Sequence, residues 1–184
     1  MNIATNLERA AFHFPDHIAV IEGDRSVSFS EFNRDANQIA SALVSVGVQP
    51  GDHVALCAPN SYAWLAFYFG VLKAGAVAVT FSHLLMKDEL SRTLADCEPK
   101  VLFTADEKLE DLGDYRKRPY PELVVCDHGD ISYARLAEKG TSEFKIVNRH
   151  RQDTAAILYT GGTTGIPKGA MLTHENLQTS IFNV

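Results

Sequence analysis

Residues 153–174 read DTAAILYTGGTTGIPKGAMLTH. The first eight, DTAAILYT (153–160), form an apolar run without polar alternation, the pattern of a strand covered on both faces. They lead straight into GGTTGIPKG (161–169), where four glycines, two threonines, a proline and a lysine share nine positions. AMLT (170–173) reads as a second strand, and His174 as the residue that caps a following helix. A strand feeding a glycine-rich turn places that turn at the carboxyl end of a sheet, if the rest of the chain builds one.

The upstream chain builds one. Residues 4–13 predict an amphipathic helix ending before Pro15, and 17–21 and 26–29 predict short strands about the turn EGD (22–24). Ser28 and Glu31 have capping-box spacing at the head of a helix over 29–46, whose apolar face is Phe32, Ala36, Ile39, Ala40 and Leu43 and which Gly47 ends. HVALCA (53–58) predicts a strand, 61–74 a helix, 76–81 a strand, and MKDELSRTLADCEP a helix with Asp88 and Glu89 in its first turn. KVLFTA (100–105) and ELVVC (122–126) predict strands, with a charged, solvated loop over 105–121 between them and a short helix over 132–139 beyond. Alternating helices and apolar strands imply an α/β fold with largely parallel sheets flanked by helices.

The 184 residues suit a single domain, and a net charge of -6 argues against a nucleic-acid partner. Cys57, Cys97 and Cys126 are few, odd in number and widely spaced, which reads as reduced core thiols in a cytoplasmic protein. His13 and His17 have i, i+4 spacing, but Pro15 breaks the helix between them, and Asp127–His128 reads as a turn rather than an acid–base pair. The N-terminus lacks a basic segment followed by an apolar one, so no signal peptide is expected. Residues 62–81, YAWLAFYFGVLKAGAVAVTF, are long enough for a membrane span, yet Lys73 and Gly75 divide them. Asn60 and Ser61 before the run and Gly75 after Lys73 fit a buried helix and a buried strand better, with Tyr62, Trp64, Phe67, Tyr68 and Phe69 as core rather than an acyl-binding wall. No transmembrane segment is expected.

Glycines 161, 162 and 165 permit positive φ and close approach of backbone to ligand, Thr160, Thr163 and Thr164 add hydroxyls, and Lys168 adds a cation. That inventory suits phosphate oxygens. A plain glycine-rich hairpin between two strands satisfies the composition equally well. A Walker loop does not: Gly162 is followed after four residues by Pro167, and Lys168 is followed by Gly169 instead of Ser or Thr.

YTGGTTGIPKG (159–169) resembles the signature loop of the AMP-forming adenylating enzymes, the superfamily of acyl-CoA synthetases, luciferases and nonribosomal peptide adenylation domains. VSFSEFNRDANQIASAL (27–43), GDHVALCAPNSYAWLAFYFGVLKAGAVAVTFS (51–82) and LTHENL (172–177) resemble its neighbouring blocks, most of all those of fatty acyl-CoA and related carboxylate–CoA ligases. Thr80 stands where the family often has proline. The resemblance implies a reaction in two halves. A carboxylate attacks the α-phosphate of MgATP to give an acyl-adenylate and pyrophosphate, and CoA then takes the acyl group. It implies that Thr160, Gly161, Gly162, Thr163, Thr164, Gly165, Ile166, Pro167 and Lys168 hold the ATP phosphates, and that Thr160 is a candidate Mg2+ ligand.

The resemblance also implies that residues 1–184 are a partial N-terminal AMP-binding domain, an incomplete portion of the acyl-adenylate-forming fold. The family's adenylation lysine, most of its acyl pocket and its mobile C-terminal domain are not in it, so no catalytic residue is assigned and the chain alone is expected to be inactive. The remaining part of the same polypeptide is an expected partner, together with a small carboxylate and CoA. Open sheet edges and exposed apolar surface follow from that expectation. The alternative is a stand-alone, non-catalytic phosphate- or nucleotide-binding or interaction module, or an inactive relic.

Overall fold

The computed structural model describes residues 1–160 and 168–182. Strands β1 (Ile18–Glu22) and β2 (Arg25–Ser28) form a separate antiparallel hairpin. The main sheet contains β3 (His53–Cys57), β4 (Val77–Thr80), β5 (Val101–Thr104), β6 (Leu123–Val125), β7 (Thr154–Thr160) and β8 (Lys168–Thr173). Their order is β6-β5-β3-β4-β7-β8, parallel throughout except for β8, which runs antiparallel to β7. Helices α1 (Thr5–His13), α2 (Phe29–Ser45), α3 (Tyr62–Lys73), α4 (Lys87–Cys97), α5 (Leu109–Leu112), α6 (Tyr133–Glu138) and α7 (His174–Phe182) accompany it.

The apolar strands lack alternation because both faces of the sheet are covered. Val54 and Leu56 point into a core with Ile39, Leu43, Phe67 and Val71 from α2 and α3, while Ala55 and Cys57 point into a second core with Leu90 and Leu94 from α4. Leu7, Val27, Phe32 and Tyr62 pack in a smaller cluster under the β1–β2 hairpin.

The expected capping box starts α2: the Ser28 hydroxyl accepts the Glu31 amide at 3.2 Å, and the Glu31 carboxylate accepts the Ser28 amide at 2.9 Å. The Ser61 hydroxyl accepts the Trp64 amide at the head of α3, and Gly75 leaves that helix with φ +74°. α2 and α3 approach closely at Gly70, where a Cβ would stand 2.5 Å from Ile39 Cγ2. Gly70→Ala is therefore expected to destabilise the chain by about 1–3 kcal/mol through overpacking. Urea denaturation should show a lower midpoint with an unchanged slope.

Lys73 divides the apolar run because its ammonium has partners inside the protein. It is fully buried, donates to Asn33 Oδ1 at 2.7 Å and Asn37 Oδ1 at 2.6 Å, and lies 3.7 Å from Glu8 Oε1. Burial draws its pKa down to about 8. Among the described residues no helix is long and apolar enough to cross a membrane.

One expectation is corrected here. Residues 105–121 are not a plain solvated loop: a 3-10 turn (Asp106–Lys108), α5 and a second 3-10 turn (Tyr115–Lys117) bury Leu112 and Tyr115. The charges are real, but three-residue spacing of Leu109, Leu112 and Tyr115 supplies an apolar edge, and Lys108 Nζ is spent on Leu85 O and Asp111 Oδ2, both at 2.8 Å. The five aromatics on α3 belong to the core, as expected: Tyr62 and Phe67 are buried, and Trp64, Tyr68 and Phe69 are partly buried and pack against it, with Trp64 and Tyr68 stacked at 5.3 Å between centroids. Exposed Phe12, Ile18, Ile21 and Met171 agree with the expected exposed apolar surface, and β8 is an outer strand.

Candidate functional site

β4 pairs with β7 only as far as Thr80 opposite Leu158, so Tyr159 and Thr160 continue beyond the end of their parallel neighbour. There β8 pairs back onto β7, and Lys168 stands directly opposite Thr160. Both are exposed. The structure thus brings the two ends of the expected phosphate loop together at the carboxyl ends of the parallel strands, with a hydroxyl and an ammonium side by side at its neck. Gly161, Gly162, Thr163, Thr164, Gly165, Ile166 and Pro167 lie outside the described residues.

The chain entering the loop is fixed by Tyr159. Its ring packs edge-to-face on Phe81, with centroids 6.1 Å apart, and its hydroxyl donates to Asp96 on α4. Burial, with the Asp96 carboxylate second, pushes the Tyr159 pKa up, so the phenol keeps its proton. On the returning strand Gly169 faces Tyr159, and a Cβ there would meet Ile157 Cγ2 at 2.7 Å and the tyrosine ring at 3.1 Å. The register therefore requires glycine at 169.

The chain leaving the loop is fixed differently from expectation. Thr173, not His174, caps α7: its hydroxyl accepts the Asn176 amide at 3.1 Å, and Asn176 Oδ1 accepts the Thr173 amide at 3.0 Å. His174 turns inward instead and is 1% exposed. Its Nδ1 accepts the Ile3 amide at 3.1 Å, which puts the imidazole proton on Nε2. Burial, then the positive charges of Arg149 and the chain's amino group, lower its pKa to about 4 against an opposing pull from Asp153. The segment it grips is itself tied down, since Asn2 Nδ2 donates to Leu72 O at 2.6 Å and Val147 O at 3.0 Å. Sequence reading missed both anchors. Tyr159 and Asp96, or His174 and Ile3, carry no pattern that pairs residues so far apart.

Other groups do not join the hairpin. Burial pushes the thiols of Cys57 and Cys126 up to about 11 and that of Cys97 to about 12, so all three stay protonated at neutral pH and free, as expected of core cysteines. Residues 126–129 form the expected turn, with the Gly129 amide donating to Cys126 O at 3.1 Å, but His128 pairs with Asp106 Oδ2 at 2.6 Å and not with Asp127. An open cleft of ≈ 930 Å³ beside Asp130, Arg135 and Glu138 lies past β6, at the far edge of the sheet from β8. No cluster of three His, Cys, Asp or Glu side chains occurs among the described residues; a divalent ion at the hairpin would call for oxygen donors such as hydroxyls. An exposed threonine hydroxyl at the neck fits that donor chemistry.

Comparison with known proteins places these features in a family. The model of the family described as AMP-binding enzyme matches residues 7–184. A medium/long-chain-fatty-acid–CoA/3-oxocholest-4-en-26-oate–CoA ligase of Mycobacterium tuberculosis is 32% identical over 193 residues, covering 99% of this chain and 35% of that protein. The crystal structure of an anthranilate CoA ligase in complex with anthranoyl-AMP superposes with a TM-score of 0.88 at 30% identity, over 95% of this chain and 35% of that one. A long-chain-fatty-acid–CoA ligase from Archaeoglobus fulgidus gives 0.89 at 27% identity, over 99% and 38%. The chain thus spans little more than a third of the length of the ligases it matches.

Proposed function

Because the chain belongs to the AMP-binding enzyme family, we propose that it is the N-terminal portion of a cytoplasmic, AMP-forming carboxylate–CoA ligase that handles the phosphates of ATP. The observation that carries this reading is the pairing of Thr160 with Lys168 at the carboxyl ends of the parallel strands. In this reading residues 160–168 wrap the β- and γ-phosphates of the substrate ATP. Lys168 offsets charge on the departing pyrophosphate, and the hydroxyls and amides of the loop fix the α-phosphate for in-line attack by the carboxylate. The Thr160 hydroxyl would hold a bound Mg2+, which would supply charge neutralisation at the phosphates. The resemblance to fatty acyl–CoA ligases supports a fatty acyl substrate. The acyl pocket, the adenylation lysine and the CoA-transfer step belong to the rest of a longer polypeptide, of which 1–184 is a partial adenylation domain.

Titration calorimetry with MgATP tests this. The chain is expected to bind MgATP, and Lys168→Ala to weaken binding about 10- to 100-fold, the range for a lost hydrogen bond to a charged group. Thr164→Ala should weaken it less. Equal affinity in all three chains would remove the phosphate reading. Carboxylate-dependent pyrophosphate release by the 184-residue chain would show instead that it adenylates unaided.

A further inference from the structure

We propose that Asp96 on α4 is a positioning residue for the phosphate loop, acting through the Tyr159 hydroxyl; the inference rests on the phosphate-binding reading of the hairpin. Tyr159 is the last residue before Thr160, at a point where β7 has outrun β4 and lost its parallel partner. A strand end with one paired edge is free to twist about its remaining neighbour. The Tyr159–Asp96 hydrogen bond removes that freedom by fastening the strand end to a helix.

The helix is a firm anchor. Leu90, Leu94 and Cys97 of α4 are buried in the core, and its last carbonyl, Cys97 O, bonds His53 Nδ1 on β3 at 2.7 Å. The tyrosine ring also bears on the returning strand, because it lies against the backbone of Gly169, the residue after Lys168. One side chain thus sets the height of both Thr160 and Lys168 above the sheet. A phosphate held by several donors at once needs them placed within a fraction of an ångström, so the tether acts on affinity without touching the nucleotide. Asp96 is itself exposed and its loss opens no cavity, so global stability should be little changed.

Tyr159→Phe keeps the ring and removes the hydroxyl, Asp96→Ala removes the acceptor, and Asp96→Asn retains one. Two readouts on the full chain decide: MgATP affinity by calorimetry, and hydrogen–deuterium exchange of peptides covering residues 155–170 without nucleotide. Tyr159→Phe and Asp96→Ala are each expected to weaken MgATP binding about 3- to 10-fold and to speed exchange locally, with the melting midpoint unmoved. Asp96→Asn should recover part of both effects, and the double variant Tyr159→Phe/Asp96→Ala should be no worse than either single change. Parental affinity and parental exchange in Tyr159→Phe would overturn the proposal, as would a fallen midpoint with faster exchange throughout, which marks a merely structural contact. If the parent chain binds no MgATP, the phosphate reading fails by itself and exchange alone decides: local acceleration sustains the tether, and its absence overturns it.

Discussion

Lys73→Ala is expected to lower the unfolding free energy by about 3–5 kcal/mol, the usual cost of breaking a buried charge network by removing one member. The ammonium has no solvent exposure and is surrounded by Asn33 Oδ1, Asn37 Oδ1 and Glu8 Oε1. Taking it away leaves the buried Asn37 Oδ1 and the half-buried Asn33 Oδ1 without their shared donor between α2 and α3. Asn37 cannot repair the site by rotating its amide, because its Nδ2 already donates to Ser142 O at 2.9 Å. Lys73→Met, which keeps the packed stem, should recover the cavity part of the loss and not the polar part. Urea denaturation of the three chains at pH 7 separates the two contributions. A change below about 1 kcal/mol in Lys73→Ala would mean that the network is not closed in solution.

The second large effect is a loss of stability on mild acidification, centred on His174. Its folded pKa of about 4 lies below the ordinary histidine value of 6.5. Between those values the unfolded chain holds a proton on this ring and the folded chain does not, so stability falls as pH falls. The contribution is complete above pH 6.5 and largely lost by pH 4, a difference of roughly 3 kcal/mol for a gap of about 2.5 units. His174→Gln can still accept from the Ile3 amide and does not titrate. Denaturation at pH 7, 5.5 and 4.5 should therefore show the two chains converging as the solution is acidified. Glu31 and Asp106 have lowered pKa values and lose their contributions at still lower pH, in both chains alike. Parallel curves for the two chains would contradict a buried, neutral His174.

The parts of this architecture written in local sequence were legible. Ser28 and Glu31 are three residues apart and form the cap that their spacing implies; Gly75 ends α3; the apolar strands are covered on both faces. α5 was hidden because Leu109, Leu112 and Tyr115 stand among charges that dominate the composition. The two ends of the candidate site, Thr160 and Lys168, were legible as residue types, and their opposition across a hairpin gives that reading its geometry. The supports of the site were not legible. Asp96 is separated from Tyr159 by 63 residues, and Ile3 from His174 by nearly the whole chain. A lone histidine after a strand carries the signal of a cap, and only packing decides that Thr173 takes that role while the ring turns inward.

The strand order also sets a timetable for synthesis. β3, β4, β5 and β6 come from one continuous stretch and can pair as soon as residue 125 has left the ribosome. β7 belongs beside β4, yet residues 81–153 are translated between them. At ordinary elongation rates of about 5–20 residues per second, the open flank of β4 waits roughly 4–15 s for its neighbour. Throughout that interval it offers unpaired amides and carbonyls to any other extended segment nearby. The Ile3 amide waits longest, made early and paired only when His174 arrives. The hairpin that carries the loop thus also closes the flank that β4 leaves open.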